Sequence, residues 1–305
     1  MISVVVPVYN ELPLLSELRA RTVKAMESTG ELFEIIFVDD GSRDGSLQIL
    51  TEFHREDPRL KVIELSRNFG HQSAISAGLE QANGEYVAVM DGDLQDPPEL
   101  IPMMLAKLRS EDLDVVNAER ATRGERLFRK LMANLFHYVF SRLSEIRSRG
   151  SFGNFCLLNR KSLEALRSFP EEGRYLPGLR SYMGFRQGSM PYDREPRRAG
   201  RTKMSAGRLL RLAADAFLAF SHWPVKLCLS IGLLGTMICL VLAIVKITQP
   251  GVNTVLENTE LGAIALFMLG FVQLTFIGIL GEYLFRTYRE SLRRPVYFIR
   301  NRYLG

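Results

Sequence analysis

Residues 86–99 read Tyr-Val-Ala-Val-Met-Asp-Gly-Asp-Leu-Gln-Asp-Pro-Pro-Glu, an apolar strand ending in two carboxylates, Asp91 and Asp93, separated by one glycine. Acids at i and i+2 past a strand end can turn toward one hard cation whose open positions are filled by phosphate oxygens. The competing reading is an acidic turn leading into the next helix, because Asp96 ahead of Pro97-Pro98 is a good N-cap. The surrounding sequence decides between them.

Upstream, short apolar runs at 3–7, 34–39, 60–65 and 86–91 alternate with helical stretches near 13–28, 44–56 and 71–82. Runs that are apolar on both faces and joined through helices predict a parallel sheet covered on both sides, an α/β nucleotide-binding architecture. Ligands of such sheets sit at the carboxyl ends of the strands. The polar signatures fall there: Tyr9-Asn10-Glu11, Asp39-Asp40-Gly41-Ser42, Ser66-Arg67-Asn68-Phe69-Gly70 and Asp91-Gly92-Asp93. No Gly-x-Gly-x-x-Gly turn or Walker-type lysine loop follows any strand, so phosphate neutralisation falls to a divalent metal. Past residue 110 the pattern is less regular, with a strand at 114–118, a basic helix at about 125–143 and a further strand candidate at 151–159.

The 305 residues are 47% apolar and 24% charged, a globular composition with a lipophilic excess. That excess is localised. Residues 227–245 form a run of 19 without a charge and 261–281 another of 21, each long enough as a helix to cross the hydrocarbon core. Two membrane spans are expected. Between 205 and 222, Leu209, Leu210, Leu212, Ala213, Ala216, Phe217 and Phe220 occupy much of one helical face, as in an interfacial helix or an ordinary domain helix.

Arg197, Arg198, Arg201, Lys203, Arg208 and Arg211 precede the first span, and Arg286, Arg289, Arg293, Arg294, Arg300 and Arg302 follow the second. Only Lys246, Glu257 and Glu260 are charged between them, which places both termini on the cytoplasmic side. The opening Met1-Ile-Ser-Val-Val-Val-Pro7 lacks a basic n-region and reads as a strand, not a signal peptide. Cys156, Cys228 and Cys239 make no disulfide framework and read as packing residues of a reducing compartment. The net charge of +5 concentrates beside the spans, where it suits lipid headgroups or phosphates, and no aromatic-basic interleaving points to nucleic acid. His71, His137 and His222 share no metal-ligand spacing and read as surface or packing residues. Trp223 sits at the expected interface before the first span.

Seven stretches in order carry a family resemblance: Val5-Val-Pro-Val-Tyr-Asn-Glu11, Phe37-Val-Asp-Asp-Gly-Ser-Arg-Asp-Gly45, Leu65-Ser-Arg-Asn-Phe-Gly70, Ala77-Gly-Leu79, Met90-Asp-Gly-Asp-Leu-Gln-Asp-Pro-Pro-Glu99, Gly153-Asn-Phe155 and Gly200-Arg-Thr-Lys203. With the two spans behind them, they resemble the family-2 glycosyltransferases of GT-A fold. The likeness is strongest to the polyprenyl-phosphate glycosyltransferases related to bactoprenol glucosyltransferase and dolichyl-phosphate mannose synthase, and it covers nearly the whole chain. It implies a cytoplasmic GT-A catalytic domain at 1–203 and an amphipathic juxtamembrane helix at 204–224. It further implies two transmembrane helices with a short outside loop at 225–285 and a basic cytoplasmic tail at 286–305, in the inner (plasma) membrane.

The activity implied is inverting transfer of a sugar from a nucleotide diphosphate to a polyprenyl phosphate such as undecaprenyl phosphate. UDP-glucose is the favoured donor and GDP-mannose the alternative; a homo-oligomer is left open. From a different class, a non-catalytic membrane nucleotide-sugar sensor is the alternative. A processive polysaccharide synthase is disfavoured, since such enzymes usually have more spans and a Gln-x-x-Arg-Trp motif. By the resemblance Pro7, Tyr9, Glu11 and Asp39 line the nucleoside pocket, and Asp91, Asp93 and Gln95 hold Mg²⁺ or Mn²⁺ against the donor diphosphate. Arg120, Arg126, Arg129, Arg201 and Lys203 are the candidates for contacting donor or acceptor phosphates.

The chain departs from the family at two places. Many relatives carry Gly-Asp-Phe-Arg where this chain has Gly153-Asn154-Phe155-Cys156, so the acid often offered as a catalytic base is an amide. A phosphate monoester has a second pKa near 6, so the acceptor arrives as an anion and Asn154 is a candidate for holding the sugar or the acceptor phosphate. Where relatives carry Gly-Glu-Ser-Lys, Lys203 matches and Arg201 does not.

Overall fold

The computed structural model describes residues 1–120, 152–169, 176–193 and 259–304, with isolated positions between 230 and 244. By contact the chain divides into one unit of Met1–Ala133, Ile146–Lys203 and Arg294–Gly305 and a second of Asn134–Glu145 and Met204–Arg293. In the first unit the described residues form one eight-stranded sheet.

Its centre is strand β1, Ile2–Val8, buried at every position. Alternate valines serve the two faces. Val4, Val6 and Val8 join Leu15, Leu18 and Met26 of helix α1 (Leu15–Glu27) in one core, with Leu50 of α2 (Ser46–Glu56) and Ile101 of α4 (Leu100–Ser110). Val5 faces the other core with Ala74, Ile75 and Leu79 of α3 (His71–Gln81), which also takes Leu163 and Leu166 of α5 (Arg160–Arg167) and Leu179 of α6 (Leu176–Tyr182). Burial on both faces is what continuous apolar runs predict.

On either side β1 pairs in parallel with β2 (Phe33–Asp39) and β4 (Tyr86–Val89), and β2 pairs in parallel with β3 (Leu60–Leu65). The outer strands mix directions. β6 (Phe152–Asn159) runs antiparallel to β4 and to β5 (Val115–Arg120), and β7 (Gln187–Tyr192) is parallel to β5. The full order is β7-β5-β6-β4-β1-β2-β3-β8. The strands expected from the apolar runs and at 114–118 and 151–159 are present.

Strand β8, Ile299–Tyr303, lies antiparallel on β3. The segment read as a basic tail therefore ends in the sheet. Arg300 and Asn301 both reach the nearly buried Glu64 of β3, at 3.3 and 2.6 Å, and Ser66 N donates to the Phe298 carbonyl at 2.8 Å. Sequence pattern could not show this, because Ile-Arg-Asn-Arg-Tyr carries three polar residues and its partner stands far away in the chain.

In the second unit a 33-residue helix, α7 (Thr259–Ser291), contains the second expected span at 261–281. Among the described residues no helix is long and apolar enough to cross a membrane; several α7 side chains fall outside that set. The first expected span at 227–245 is described only at isolated positions. The basic helix near 125–143 and the amphipathic stretch at 205–222 lie outside the described residues.

Helix α3 packs tightly on the sheet at Gly78, where a Cβ would meet Val5 Cγ1 at 2.3 Å and Val38 Cγ2 at 3.0 Å. Neither valine can retreat, since both are fully buried. Gly78→Ala is expected to destabilise the full chain by about 1–3 kcal/mol through overpacking, read as a lower thermal midpoint. An unchanged midpoint would show that the helix can lift off the sheet at no cost.

Candidate active site

The parallel strands deliver their carboxyl ends to one rim, and a cleft of about 480 Å³ opens there. Its wall is made by Pro7 near the end of β1, Tyr9 and Glu11 after it, Asp40 after β2, Asn68 and Gly70 after β3, and His71 and Ala74 of α3. Asp91, Gly92 and Asp93 after β4 and Asn154 near the start of β6 complete it. Pro7, Tyr9, Glu11, Asp91, Asp93 and Asn154, separated by up to 147 positions in sequence, thus share one wall. A second cleft of about 360 Å³, lined by Tyr86, Arg109 and Lys161 among others, lies at the opposite rim, away from these signatures.

Side chains of the β2–α2 loop build the β1–α1 loop. Asn10 adopts a left-handed conformation (φ 55°), its N–H donates to Ser42 Oγ at 3.0 Å, and its Oδ1 accepts from Arg43 N at 2.8 Å. Glu11 N donates to Ser46 Oγ at 3.2 Å and Leu12 N to Asp44 Oδ2 at 3.0 Å. The stretch Asp39-Asp-Gly-Ser-Arg-Asp-Gly-Ser46 is therefore a row of acceptors for backbone that would otherwise leave its N–H groups unpaired.

The two adjacent acids of that row do different work. Asp39, expected in the nucleoside pocket, is 1% exposed and is not part of the cleft wall: Oδ2 accepts from Ser42 N at 3.1 Å, whereas Oδ1 is buried with no hydrogen-bond partner. Burial pushes its pKa up, against the pull of Ser42. Asp40, part of the strand-end signature but given no role of its own there, accepts from Phe69 N at 2.7 Å and Gly70 N at 3.0 Å. Burial raises its pKa as well, and these two N–H groups oppose the rise. Asp40 is thus the clamp on residues 66–70, and the doubled acid was its signal.

After β4 the chain turns sharply. A Cβ at position 92 would meet the Pro7 carbonyl at 2.8 Å, so only glycine fits between the two acids. Gln95 N donates to Asp93 Oδ1 at 3.2 Å, and Leu94 is held left-handed at φ 57°, a conformation that costs energy for a branched side chain and persists where surroundings impose it. The Gln95 side chain is not part of the cleft wall.

Asp96 is not a helix cap. Helix α4 starts at Leu100 with Glu99 at the N-cap and no side-chain capping bond, while Asp96 is buried, accepting from Tyr192 Oη at 2.5 Å and from Asp91 N at 3.4 Å. Burial, with the nearby Asp91 charge, raises its pKa to about 6. Arg120 belongs to the same group: burial lowers its pKa, but Tyr192, Asp96 and Asp91 more than restore it. Its Nη2 would stand 3.3 Å from a Cβ at Gly153. Arg126, Arg129, Arg201 and Lys203 lie outside the described residues.

His71 belongs to the site, contrary to the packing role read from its sequence spacing. Its Nε2 stands 3.1 Å from Asp91 Oδ1 and 2.8 Å from Asn154 Nδ2. Although burial pulls the imidazole pKa down, Asp91, then Asp40 and Asp93, hold it above the ordinary value. Asn154 is gripped from the other side, where Gln72 Nε2 donates to its Oδ1 at 3.0 Å.

Among the described residues no group of three or more His, Cys, Asp or Glu side chains is arranged to hold a metal alone. Asp91 and Asp93 fit a different kind of site. A hard cation such as Mg²⁺ is commonly bound through one or two carboxylates, with substrate phosphates and waters supplying the rest.

Asp40→Asn would replace one acceptor oxygen by an amide N–H₂ facing a backbone N–H. The expected loss is about 1–3 kcal/mol from the unsatisfied buried pair, measured as a lower denaturation midpoint, with faster hydrogen exchange at the amides of residues 69 and 70. A variant matching the wild type in both would remove Asp40 from the support of the cleft.

Residues 3–167 match the family described as glycosyl transferase family 2. Over 99% of this chain and 94% of its own length, the uncharacterised glycosyltransferase YkcC of Bacillus subtilis is 39% identical. The prophage bactoprenol glucosyl transferase homolog of Escherichia coli is 33% identical over 98% of both chains. An undecaprenyl-phosphate 4-deoxy-4-formamido-L-arabinose transferase of Salmonella paratyphi B is 33% identical over 98% of this chain and 92% of its own. Among solved structures, Staphylococcus aureus TarS 1-349 in complex with UDP is 20% identical, with a TM-score of 0.46 over 72% of this chain and 64% of that one. The resemblance carried by the strand-end motifs is thus matched by relatives along almost the full length, and the chain belongs to glycosyl transferase family 2, as a glycosyltransferase enzyme.

Proposed function

We propose that the protein transfers a sugar from a nucleotide diphosphate to the phosphate of a membrane polyprenyl phosphate, with inversion at the anomeric carbon and with Mg²⁺ or Mn²⁺. The observation that carries this reading is the single cleft uniting Tyr9 and Glu11 with Asp91, Asp93 and Asn154. The names of the full-length relatives supply the acceptor class, and glucose from UDP-glucose is the favoured donor because one of them is a bactoprenol glucosyl transferase homolog. A formamido-arabinose transferase at equal identity keeps donors other than glucose open, and GDP-mannose is the alternative carried over from the family resemblance.

Each residue has a role that its surroundings support. Pro7, Tyr9 and Glu11 form the nucleoside side of the cleft, and Asp39 Oδ1, buried without a donor, is suited to a nucleobase N–H. Asp91 and Asp93, with Gln95 as a further candidate, would hold the cation, which when bound neutralises the charge of the departing diphosphate. Arg120 adds a guanidinium near Asp91 and Asp96, and Arg126, Arg129, Arg201 and Lys203 are proposed for the donor and acceptor phosphates. Asn154, fixed by Gln72 and His71, orients the sugar or the incoming phosphate. No protein base is needed, because the acceptor monoester is largely dianionic at pH 7.

Membrane anchoring by two spans belongs to the same proposal. Strand β8 lies in the same sheet as β1, so any membrane crossed between residues 204 and 293 is crossed an even number of times. Leu266, Leu269, Leu274, Ile277, Leu280 and Leu284 of α7 are each more than half exposed, unfavourable in water and ordinary in lipid. Basic flanks put the catalytic unit and both termini on the cytoplasmic side.

Asp91→Asn or Asp93→Asn should lower transfer of labelled glucose to undecaprenyl phosphate by about a hundredfold or more with the fold intact, and EDTA should abolish it. Near-normal turnover in either case would remove the metal assignment. For topology, an impermeant thiol reagent on intact cells should label a cysteine placed at Asn253 but not one at Ser42. The reverse pattern would invert the orientation.

A further inference from the structure

Arg180 of α6 is 2% exposed, and among the described residues no acidic group pairs with it. Taking a guanidinium out of water without a counter-charge is costly, so its contacts must repay burial in another way. Nη1 donates to the Asn154 carbonyl at 3.0 Å and Nη2 to the Gly153 carbonyl at 2.6 Å, while Nε has no hydrogen-bond partner.

Those two carbonyls are special. In the β5–β6 ladder Asn117 pairs with Cys156 and Glu119 with Phe152, so one residue of β5, Ala118, opposes three of β6, Gly153 to Phe155. The strand bulges there, and a bulge both frees backbone groups from the ladder and re-aims a side chain. The freed carbonyls go to Arg180; the re-aimed side chain is Asn154, which lines the cleft.

The arginine is itself locked. Its own carbonyl accepts from Gln187 Nε2 at 2.6 Å, and Gln187 Oε1 accepts from Asn117 Nδ2 at 3.1 Å. At the other end of α6, Leu176 N donates at 3.3 Å to Gln72 Oε1, the amide whose nitrogen holds Asn154. The Cys156 thiol lies against the guanidinium, so this buried charge stands beside the position where many relatives carry an arginine on the strand itself.

We propose that Arg180 is a positioning residue: it pins the Gly153–Phe155 bulge through its two carbonyls and thereby aims Asn154 into the cleft. The kinetic part of this inference rests on the proposed transfer reaction; the structural part does not. Methionine at 180 keeps much of the volume but donates to neither carbonyl, and lysine can reach only as a point charge.

The test is a double-mutant cycle on the full chain in detergent, with Asn154→Ala, Arg180→Met and the pair, alongside Arg180→Lys. Each variant is assayed with UDP-glucose, Mn²⁺ and undecaprenyl phosphate. Arg180→Met should lower kcat/KM for the acceptor by about tenfold or more, a change of about 1.4 kcal/mol, and leave KM for the donor within about twofold. The pair should be no worse than the more impaired single variant, because Arg180 acts through Asn154. Arg180→Lys should fall between wild type and Arg180→Met. Independently of activity, hydrogen exchange at the amides of Gly153 to Cys156 should speed up in Arg180→Met.

Multiplicative losses in the pair, or unchanged exchange across the bulge, would overturn the inference. A wild type that moves no sugar to the lipid, together with faster exchange in Arg180→Met, would overturn the proposed reaction and leave the pin standing. If Arg180→Met does not fold, Arg180→Lys carries both readouts.

Discussion

Strand β1 has almost nothing polar to offer either face, and the rest of the catalytic unit follows from that. With Val4, Val6 and Val8 in one core and Val5 in the other, the strand must be covered twice, and its neighbours must be parallel strands returned through helices. The pairings Val8 with Asp39 and Val5 with Val89 then bring three strand ends to one rim. Ser3 is the polar exception, and it is consumed internally: its hydroxyl donates to Glu34 at 2.5 Å and accepts from Gly84 N at 2.8 Å. Polar chemistry is left to the rim.

At the rim, among the described residues, acids outnumber the cations that could quiet them. Asp39, Asp40 and Asp96 all have pKa values raised first by burial, and Asp40 and Asp96 are raised further by a neighbouring aspartate, Asp39 for the one and Asp91 for the other. Backbone N–H groups absorb part of this charge, as at Asp40, and His71 and Arg120 absorb more. Such crowding is expensive in a protein that binds nothing, and it suits a site whose ligand brings its own cation.

Much of this was legible in the sequence, and the parts that were not share a physical cause. Pro7, Tyr9, Glu11, Asp91 and Asp93 end or follow strands whose apolar runs are plain, so their place at the rim follows from the period of the chain, whereas Asn154 lies inside β6 and was marked by the family motif. The spacing of His71 tests only for ligands close in sequence, whereas its partners are Asp91, after β4, and Asn154, in β6. Asp96 looks like a cap because Pro97-Pro98 follow it; burial by Tyr192, 96 positions later, decides otherwise. Arg180 carries no sequence signal at all. Its meaning depends on a register shift between β5 and β6, which no single-strand pattern encodes.

Strand β8 also says something about how this chain comes into being. The edge of β3 receives its partner only when residues 299–303 exist, and Arg300 finds Glu64 across 236 positions. At ribosomal rates of about 5–20 residues per second, that leaves the edge of the nascent sheet open on the order of tens of seconds, while the apolar segments after residue 204 are being made. An open edge of buried-type strand is a template for wrong pairing. Closure of the sheet thus waits on residues 299–303, and a product cut short between residues 65 and 299 would carry the unsealed edge of β3.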